Sequence, residues 1–247
     1  MRYVRAFLIF LFPTFVVRIV LNSDKIKIDK NVKVGFSFLI CDNIILKEGT
    51  NIGHLNFIQL NSYNCGKGVY IGHLNFIRGR LLDVVLGNKV WINRQNKISV
   101  PAFCNDRTKF VVKDYAAITI GHLFDLTNSI EIGYRTAFVG VGTQVWTHSF
   151  LYSRESLKTV LVDKSVVIGN NCHIATKVVI LGCKISDGIT IGANSCVSKD
   201  LEKSGMYVNQ PLRYIESYDP DEKMKALGVP DYFMGGLGVY HERELGE

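Results

Sequence analysis

Histidine is the side chain in this sequence best suited to moving protons, because its ordinary pKa of about 6.5 lies close to neutrality. His148 follows Val145-Trp146-Thr147 and stands directly before the stretch 149–165, which breaks the pattern of the surrounding chain. A base at the end of a regular element and beside a protruding loop can meet a substrate. We therefore expect His148 to be a general base. The chain contains five other histidines: His54, His73, His122, His173 and His241.

The other histidines fall into different settings. His54 and His73 occupy the same slot of a repeated string, directly after a glycine, which favours a structural role at a corner. His122 follows Gly121 in a third, shorter copy of the repeated string and precedes Asp125. We expect it to belong to the catalytic group and to line the site of the acceptor substrate. A base histidine needs a partner on its second nitrogen. Asp125 is the expected partner, with Asn128 or a backbone carbonyl as alternatives.

Aliphatic residues recur with a period of six, and this repeat must position those side chains. The string Ile-Gly-His-Leu-Asn-Phe-Ile begins at both position 52 and position 71. A period of six fits neither a helix nor a simple strand. It fits a short strand plus a turn with one residue pointing inward, and three such units make a triangular coil. The series are Ile28, Val34, Ile40, Leu46, Ile52, Ile58; Leu86, Ile92, Ile98; Ile120, Leu126, Ile132, Phe138; Ile168, Ile174, Ile180; and Ile185, Ile191, Val197.

The pattern therefore predicts a mainly β protein, a parallel β-helix, in three segments. Residues 1–25 form an apolar or amphipathic helical segment, residues 26–213 the β-helix, and residues 214–247 a short C-terminal helix or tail. The stride is lost at about 99–117 and 149–165, which we expect to leave the coil as loops. Long loops on a rigid scaffold are common places for function.

The N-terminal segment carries a nearly continuous apolar run, Ala6 to Val17, flanked by Arg2, Arg5 and Arg18. The run is shorter than the roughly 20 residues of a spanning helix, and Pro13 interrupts it. No small-residue cleavage site follows it. Two alternatives remain open for residues 1–21: a helix lying on an anionic membrane surface, which the basic flanks favour, or a helix packed on the body of an oligomer.

Charge and cysteine content limit the classes of partner that the protein can be expected to bind. The formal net charge of +7 fits a phosphate-bearing cofactor or an anionic membrane. Nucleic acid is not expected, since no basic cluster interleaves with aromatic residues. The six cysteines form no C-x-x-C pair, so we expect reduced core thiols and no metal site.

The residues from Ile168-Gly169-Asn170-Asn171-Cys172 through Ser198-Lys199-Asp200 resemble the last coils of the hexapeptide-repeat acyltransferases. Asn209-Gln210-Pro211-Leu212-Arg213 is similar to a Gly-Asn-Pro-Ala-Arg segment of that family. The resemblance implies a left-handed parallel β-helix, a homotrimer with active sites between subunits, and acetyl-coenzyme A as co-substrate. Bacterial sugar and polysaccharide O-acetyltransferases are the most similar members, so the implied acceptor is a saccharide of the bacterial surface, or its lipid-linked or nucleotide-linked precursor. The implied location is the cytoplasm, at the inner face of the plasma membrane.

The resemblance also assigns residues to the cofactor. Lys199 and Arg213 fall where the family contacts the coenzyme A phosphates, and Ala175, Gly192 and Ala193 would let the pantetheine arm approach the backbone. Trp146 and His173 would pack against the cofactor. The sequence departs from the family at His173, where tryptophan is common, at Asn209-Gln210, and in the short step from Ile180 to Ile185.

Other functions remain open. N-acetylation of an amino sugar needs the same base and cofactor, and a non-catalytic β-helix scaffold would need neither. Transfer of longer acyl chains is a further alternative. A zinc enzyme of the carbonic anhydrase type would need a close pair of histidines, which this sequence does not have. A sugar nucleotidyltransferase would need a nucleotide-binding domain ahead of the β-helix, and none precedes residue 28.

Overall fold

The computed structural model describes residues 2–104, 106–152, 154, 157 and 159–209. Two short helices come first, α1 (Arg2–Leu11) and α2 (Thr14–Leu21). The break between them is Pro13, which has no N–H to continue the ladder. Ala6 and Ile9 of α1 are buried, and Phe10 stacks on Phe38 with ring centroids 4.4 Å apart. Among the described residues, neither helix has the length and apolar character needed to cross a membrane.

Short parallel strands then wind into a left-handed β-helix with three faces. Strands are numbered along the chain. Face 1 has nine strands, one per coil: β2 (Lys33–Val34), β4 (Asn51–Ile52), β6 (Tyr70–Ile71), β9 (Trp91–Ile92), β12 (Ala117–Ile120), β15 (Ala137–Val141), β20 (His173–Ile174), β23 (Ile189–Ile191) and β25 (Gly205–Tyr207).

Faces 2 and 3 are joined near the N-terminus, because β3 (Phe38–Leu46) and β5 (Phe57–Cys65) run through both. Face 2 continues with β7 (Phe76–Arg78), β10 (Lys97–Ser99), β13 (Leu123–Asp125), β16 (Gln144–Trp146), β21 (Val179–Leu181) and β24 (Cys196–Val197). Face 3 consists of β1 (Ile26–Ile28), β8 (Leu82–Leu86), β11 (Thr108–Val112), β14 (Ile130–Ile132), β19 (Val166–Ile168) and β22 (Lys184–Ile185).

The core is the aliphatic column that the stride of six predicts. Ile52, Ile71 and Ile92 lie directly above one another on face 1, and all are buried. Aromatic rings widen the column in the middle coils, where Phe124 packs edge-to-face with Phe110 and Phe138 at 5.2 and 5.3 Å. Such pairs add stabilisation beyond the apolar area that they bury.

The corner between faces 1 and 2 explains the glycines of the repeat. A Cβ on Gly53 would stand 2.5 Å from the carbonyl oxygen of Gly72 in the next coil, so any larger residue would push the coils apart. Two positions later the backbone turns left-handed in each of these coils, and the first two carry leucine there, Leu55 (φ 58°) and Leu74 (φ 60°).

Two segments leave the coil at the corner between faces 2 and 3, which we call the 2/3 corner. The first excursion lies between Ser99 and Thr108 and is shorter than the expected 99–117. Thr108–Val112 returns to face 3 as β11, because Phe110 and Val112 point inward while Lys109 is exposed. The second excursion is an antiparallel hairpin of β17 (His148–Tyr152) and β18 (Thr159–Asp163).

Two positions differ from the predicted series. Leu39, not Ile40, fills the core position of β3 beside Ile58. Ile118, not Ile120, fills the core position of β12 above Phe138. The pairing of β12 with β15 shifts between Ile118 and Ile120, so the stride from Leu126 cannot be extended back through this irregularity. The predicted C-terminal segment 214–247, with His241, lies outside the described residues.

Candidate active site

His148 begins β17 at the 2/3 corner, and its ring is held from one side. Its Nδ1 lies 2.8 Å from Oδ1 of Asp125 and 2.6 Å from Oγ1 of Thr127. Asp125 ends β13 in the preceding coil, directly beside Trp146 in the pairing of β13 with β16. The parallel register therefore brings the two predicted residues together across 23 positions of sequence.

The arrangement of hydrogen bonds fixes the state of the imidazole. The Thr127 hydroxyl lies within reach of the Asp125 carboxylate (3.5 Å), and Thr147 donates to the Asp125 carbonyl (3.0 Å). An ionised carboxylate can only accept, so the contact with Asp125 places the proton on Nδ1 and leaves Nε2 its lone pair. Among the described residues, Nε2 takes part in no hydrogen bond. This geometry leaves a base with one free nitrogen.

Asp125 is largely buried beside that ring. Burial raises the pKa of its carboxyl, while His148 and Thr127 act in the opposite direction by stabilising the charged form. A poorly solvated carboxylate is stabilised by a positive charge nearby. Asp125 can therefore stabilise the imidazolium that forms when His148 accepts a proton.

Asn128, the alternative partner, is used elsewhere. Its side-chain amide donates to Oδ2 of Asp163 at 2.8 Å, and its backbone N–H donates to Oγ1 of Thr147 at 2.9 Å. Asp163 is the residue paired with His148 across the hairpin. Asn128 therefore ties the base of the hairpin to the corner without touching the imidazole.

His122 lies in a different environment from the one expected of an acceptor-site residue. It does not share the slot of His54 and His73. Its N–H donates to Oδ1 of Asn96, which places it in a column with the buried side chains Asn56, Asn75 and Asn96. Nδ1 accepts from the Thr143 N–H (3.2 Å), and Nε2 lies 3.0 Å from Oγ1 of Thr119. Burial lowers the pKa of His122 to about 4.

His54 and His73 have the corner role that the repeated slot predicts. Nδ1 of His73 accepts from the His54 N–H at 2.9 Å, and Nδ1 of His54 accepts from the Phe36 N–H at 3.1 Å. The two rings stack with centroids 5.5 Å apart. Both side chains thus satisfy backbone donors of the neighbouring coil.

The residues assigned to the cofactor do not form one cluster. Trp146 and Lys199 lie at the 2/3 corner, as His148 does. Trp146 ends β16, and Lys199 follows two residues after β24. Lys199 is exposed and lines a cleft of about 210 Å³ with Ser195, Tyr207 and Val208. Ala175, Gly192 and Ala193 lie at the opposite edge of face 2, and the exposed His173 lies on face 1. Arg213 lies outside the described residues.

Three neighbours of His148 were not predicted from the sequence. Thr127 lies two residues after Asp125, and that spacing on one strand end is the signal that could have found it. Phe103 and Phe150 pack edge-to-face on the imidazole, each with its centroid 5.5 Å away. Both come from segments without a repeat, so nothing in the stride places them. Among the described residues, no three metal-ligating side chains converge.

The coils, the buried column and the polar corners define a protein of the left-handed β-helix class with hexapeptide repeats. Comparison with known proteins finds similar chains that carry acyltransferase names. YvoF of Bacillus subtilis (strain 168), which carries a provisional acetyltransferase name, is 30% identical over 98 residues, covering 40% of this chain and 52% of that protein. The chain thus spans about half the length of the curated relative that it matches. No protein-family model matches the chain.

Solved structures with a similar course of the chain are also acyltransferases. The polySia-specific acetyltransferase NeuO is 15% identical, with 89% of this chain and 96% of that chain covered and a TM-score of 0.44. The polysialic acid O-acetyltransferase OatWY is 16% identical over 82% and 98%, with a TM-score of 0.44. AntD, an N-acyltransferase from Bacillus cereus seen with dTDP and coenzyme A, is 16% identical over 81% and 88%, with a TM-score of 0.38. Likenesses this distant carry no argument about the chemistry of this chain.

Proposed function

We propose that the chain is an acetyl-coenzyme A-dependent O-acetyltransferase with His148 as general base. The acceptor is a sugar hydroxyl of a bacterial surface polysaccharide, or of its lipid-linked or nucleotide-linked precursor. The observation that carries the proposal is the oriented imidazole, whose Nδ1 is bound by Asp125 and Thr127 and whose Nε2 has no partner among the described residues.

In this reaction, Nε2 of His148 removes the proton of the acceptor hydroxyl as its oxygen attacks the thioester carbonyl. The C–S bond of acetyl-coenzyme A then breaks, and the proton passes from His148 to the departing thiolate. The products are an acetyl ester and free coenzyme A. Asp125 holds the imidazole in the tautomer that can start the reaction and stabilises the cation formed midway.

Lys199 is the described cation best placed for the cofactor phosphates, because it lies at the same corner as His148 and is exposed beside a cleft. Two coils separate them, and adjacent strands are about 4.8 Å apart, so the offset along the axis is about 10 Å. An extended pantetheine arm can span that offset. Trp146 lies in the coil of His148, with its ring 6.0 Å from the imidazole, and offers an apolar wall.

The proposed assembly is a homotrimer with the β17–β18 hairpin in the interface. A two-stranded hairpin alone in water is at best marginally stable. Here every residue of both strands except His148 is exposed, including Leu151, Tyr152, Leu161 and Val162. A neighbouring subunit would cover these side chains, and closed symmetry is the usual solution for one repeated surface.

The proposed location is the cytoplasmic face of the bacterial membrane, with residues 1–21 in peripheral contact. Phe7, Phe15 and Ile19 are 56%, 65% and 74% exposed, which a packed helix would avoid. The segment before Asp24 has no acidic residue, and Lys25 and Lys27 behind it are exposed. Apolar side chains beside cations suit the surface of an anionic bilayer.

The test of the proposed reaction is a coenzyme A release assay with acetyl-coenzyme A and a panel of saccharides. The panel includes polysialic acid, lipid-linked polysaccharide repeat units and the amino sugar dTDP-4-amino-4,6-dideoxyglucose. Acetyl ester formation on a hydroxyl, identified by mass spectrometry and alkali lability, is the expected result. Amide formation with the amino sugar alone would replace the proposal by N-acetylation. An absence of coenzyme A binding would favour the scaffold.

A further inference from the structure

Aromatic side chains from two excursions and one strand gather around His148. Phe103 belongs to the first excursion, Phe150 to the hairpin and Trp146 to β16. The Trp146 ring is 6.0 Å from the imidazole, and Phe103 and Phe150 are 5.8 Å from each other. Phe103 is 51% exposed and Phe150 is 39% exposed. The two phenylalanines therefore do not serve the core, and they leave apolar ring surface open beside the base.

The loop that carries Phe103 is fixed to the coils by a polar clasp. Arg107 donates to Asp83 on face 3 through Nε (2.7 Å), with a second contact from its guanidinium at 3.4 Å. Asn61 and Ser62 donate to the same carboxylate at 2.6 and 2.8 Å. A poorly solvated carboxylate needs such partners.

The charge state of the clasp agrees with this geometry. Burial acts to raise the pKa of Asp83, but the hydrogen bonds from Arg107, Asn61 and Ser62 outweigh it, so the pKa lies below its usual value. On the other side of the loop, Sγ of Cys104 donates to the Thr127 carbonyl at 3.4 Å. The segment around Phe103 is thus tied both to face 3 and to the residue that contacts His148 Nδ1.

Apolar rings beside a polar base suit a ligand that has both kinds of surface. A pyranose presents hydroxyls around its rim and C–H groups on its faces. The C–H face can pack on an aromatic ring while one rim hydroxyl reaches the nitrogen. The nucleotide and diphosphate of coenzyme A would instead be drawn to the cationic side chain of Lys199.

We propose that Phe103 and Phe150 form the acceptor platform, which binds the C–H face of a pyranose beside His148, and that Asp83 and Arg107 are positioning residues that hold Phe103 there. This inference rests on the proposed function, since it assigns the acceptor subsite of the same reaction. It makes the two excursions, rather than the coils, the determinants of acceptor choice.

The test separates the KM for acceptor from the KM for acetyl-coenzyme A. Phe103→Ala and Phe150→Ala are each expected to raise the acceptor KM about tenfold, the equivalent of 1.4 kcal/mol, and to leave the acetyl-coenzyme A KM within twofold. Phe103→Tyr keeps the ring and should stay close to wild type. The acceptor is polysialic acid or whichever saccharide of the panel is turned over. Saturation transfer from aromatic protons to sugar C–H protons, measured by NMR with that saccharide, should weaken in Phe103→Ala.

A double-mutant comparison tests the clasp. Arg107→Gln should raise the acceptor KM, and adding it to Phe103→Ala should raise that KM little further, because both changes act through one ring. Additive effects would show that the clasp serves stability alone. A higher KM for acetyl-coenzyme A in the phenylalanine variants would assign the rings to the thioester arm and overturn the platform. Unchanged KM values in the phenylalanine variants would also overturn the platform. If acetyl transfer still depended on His148 in that case, the proposed function would stand.

Discussion

Histidine has three different roles in this chain, and the roles differ because the ring nitrogens have different hydrogen-bond partners. His54 and His73 accept hydrogen bonds from backbone N–H groups of neighbouring coils. His122 is buried with both nitrogens engaged. His148 has one nitrogen against a carboxylate and the other without a partner among the described residues. A general base at neutral pH needs an arrangement like that of His148.

The orientation of His148 should depend on the charge of Asp125. In Asp125→Asn, the amide can donate to Nδ1 and favour the tautomer whose proton sits on Nε2, which cannot act as a base. We expect kcat to fall about a hundred- to ten-thousand-fold with little change in either KM. Steady-state kinetics measure this. Asp163→Asn, a carboxylate that bonds Asn128 instead, is the matched control and should lose much less. Equal losses in both would show that charge at this corner, not orientation, matters.

His122 should make the fold sensitive to acid. Its pKa is about 4 in the folded chain and about 6.5 when unfolded. The folded state therefore binds this proton less readily, and its stabilising contribution is complete above pH 6.5 and is lost as the pH falls toward 4. The loss amounts to at most about 3 kcal/mol. His122→Asn continues the asparagine column without a titrating group, so its free energy of unfolding should fall less steeply over this range.

Denaturant unfolding at several pH values measures that slope. The exposed His173→Asn is the control and should keep the wild-type slope. An identical slope in His122→Asn would show that carboxylates alone set the acid sensitivity.

At the scale of elements, the stride of six was enough to predict the coils, because one inward aliphatic residue per strand repeats regardless of what the surface does. It could not place His122, since the residue that pairs with Asn96 is decided by where the irregular β12 resumes its register. The excursions carry no stride at all. Phe103 and Phe150 were therefore beyond sequence reasoning, whereas Asp125 and His148 were predicted because each lies next to a recognisable strand end.

The N-terminal helices give a prediction at this scale. Phe7→Ser combined with Phe15→Ser removes exposed apolar surface and no cation, so we expect binding to liposomes containing anionic lipid to weaken by about tenfold or more. Co-sedimentation measures it, and turnover of a soluble acceptor should be nearly unchanged. The control Tyr115→Ser removes an exposed aromatic residue from another part of the coil. If the full-length protein does not bind anionic liposomes, the helices pack against another subunit instead.

For the whole molecule, the helices and the hairpin are two separate places with exposed apolar side chains, and the two are proposed to have different partners. The prediction is a particle with three times the mass of the 27.8-kDa chain. Light scattering at micromolar concentration measures it. Leu151→Ser with Leu161→Ser should shift the mass toward the monomer and lower activity, while the control Val85→Ser, exposed on β8, should not. A wild-type monomer with full activity would contradict the trimer.

The central claim is that His148 removes the proton of a sugar hydroxyl during acetyl transfer. The most direct measurement is kcat of His148→Ala with a saccharide that the wild type acetylates, beside the dissociation constant for coenzyme A measured by calorimetry. We predict that kcat falls at least a hundredfold, the low end for a lost general base, while coenzyme A affinity stays within about twofold, a change well below 1 kcal/mol. A variant that keeps more than about a tenth of wild-type kcat, outside the range for a lost base, would contradict the account.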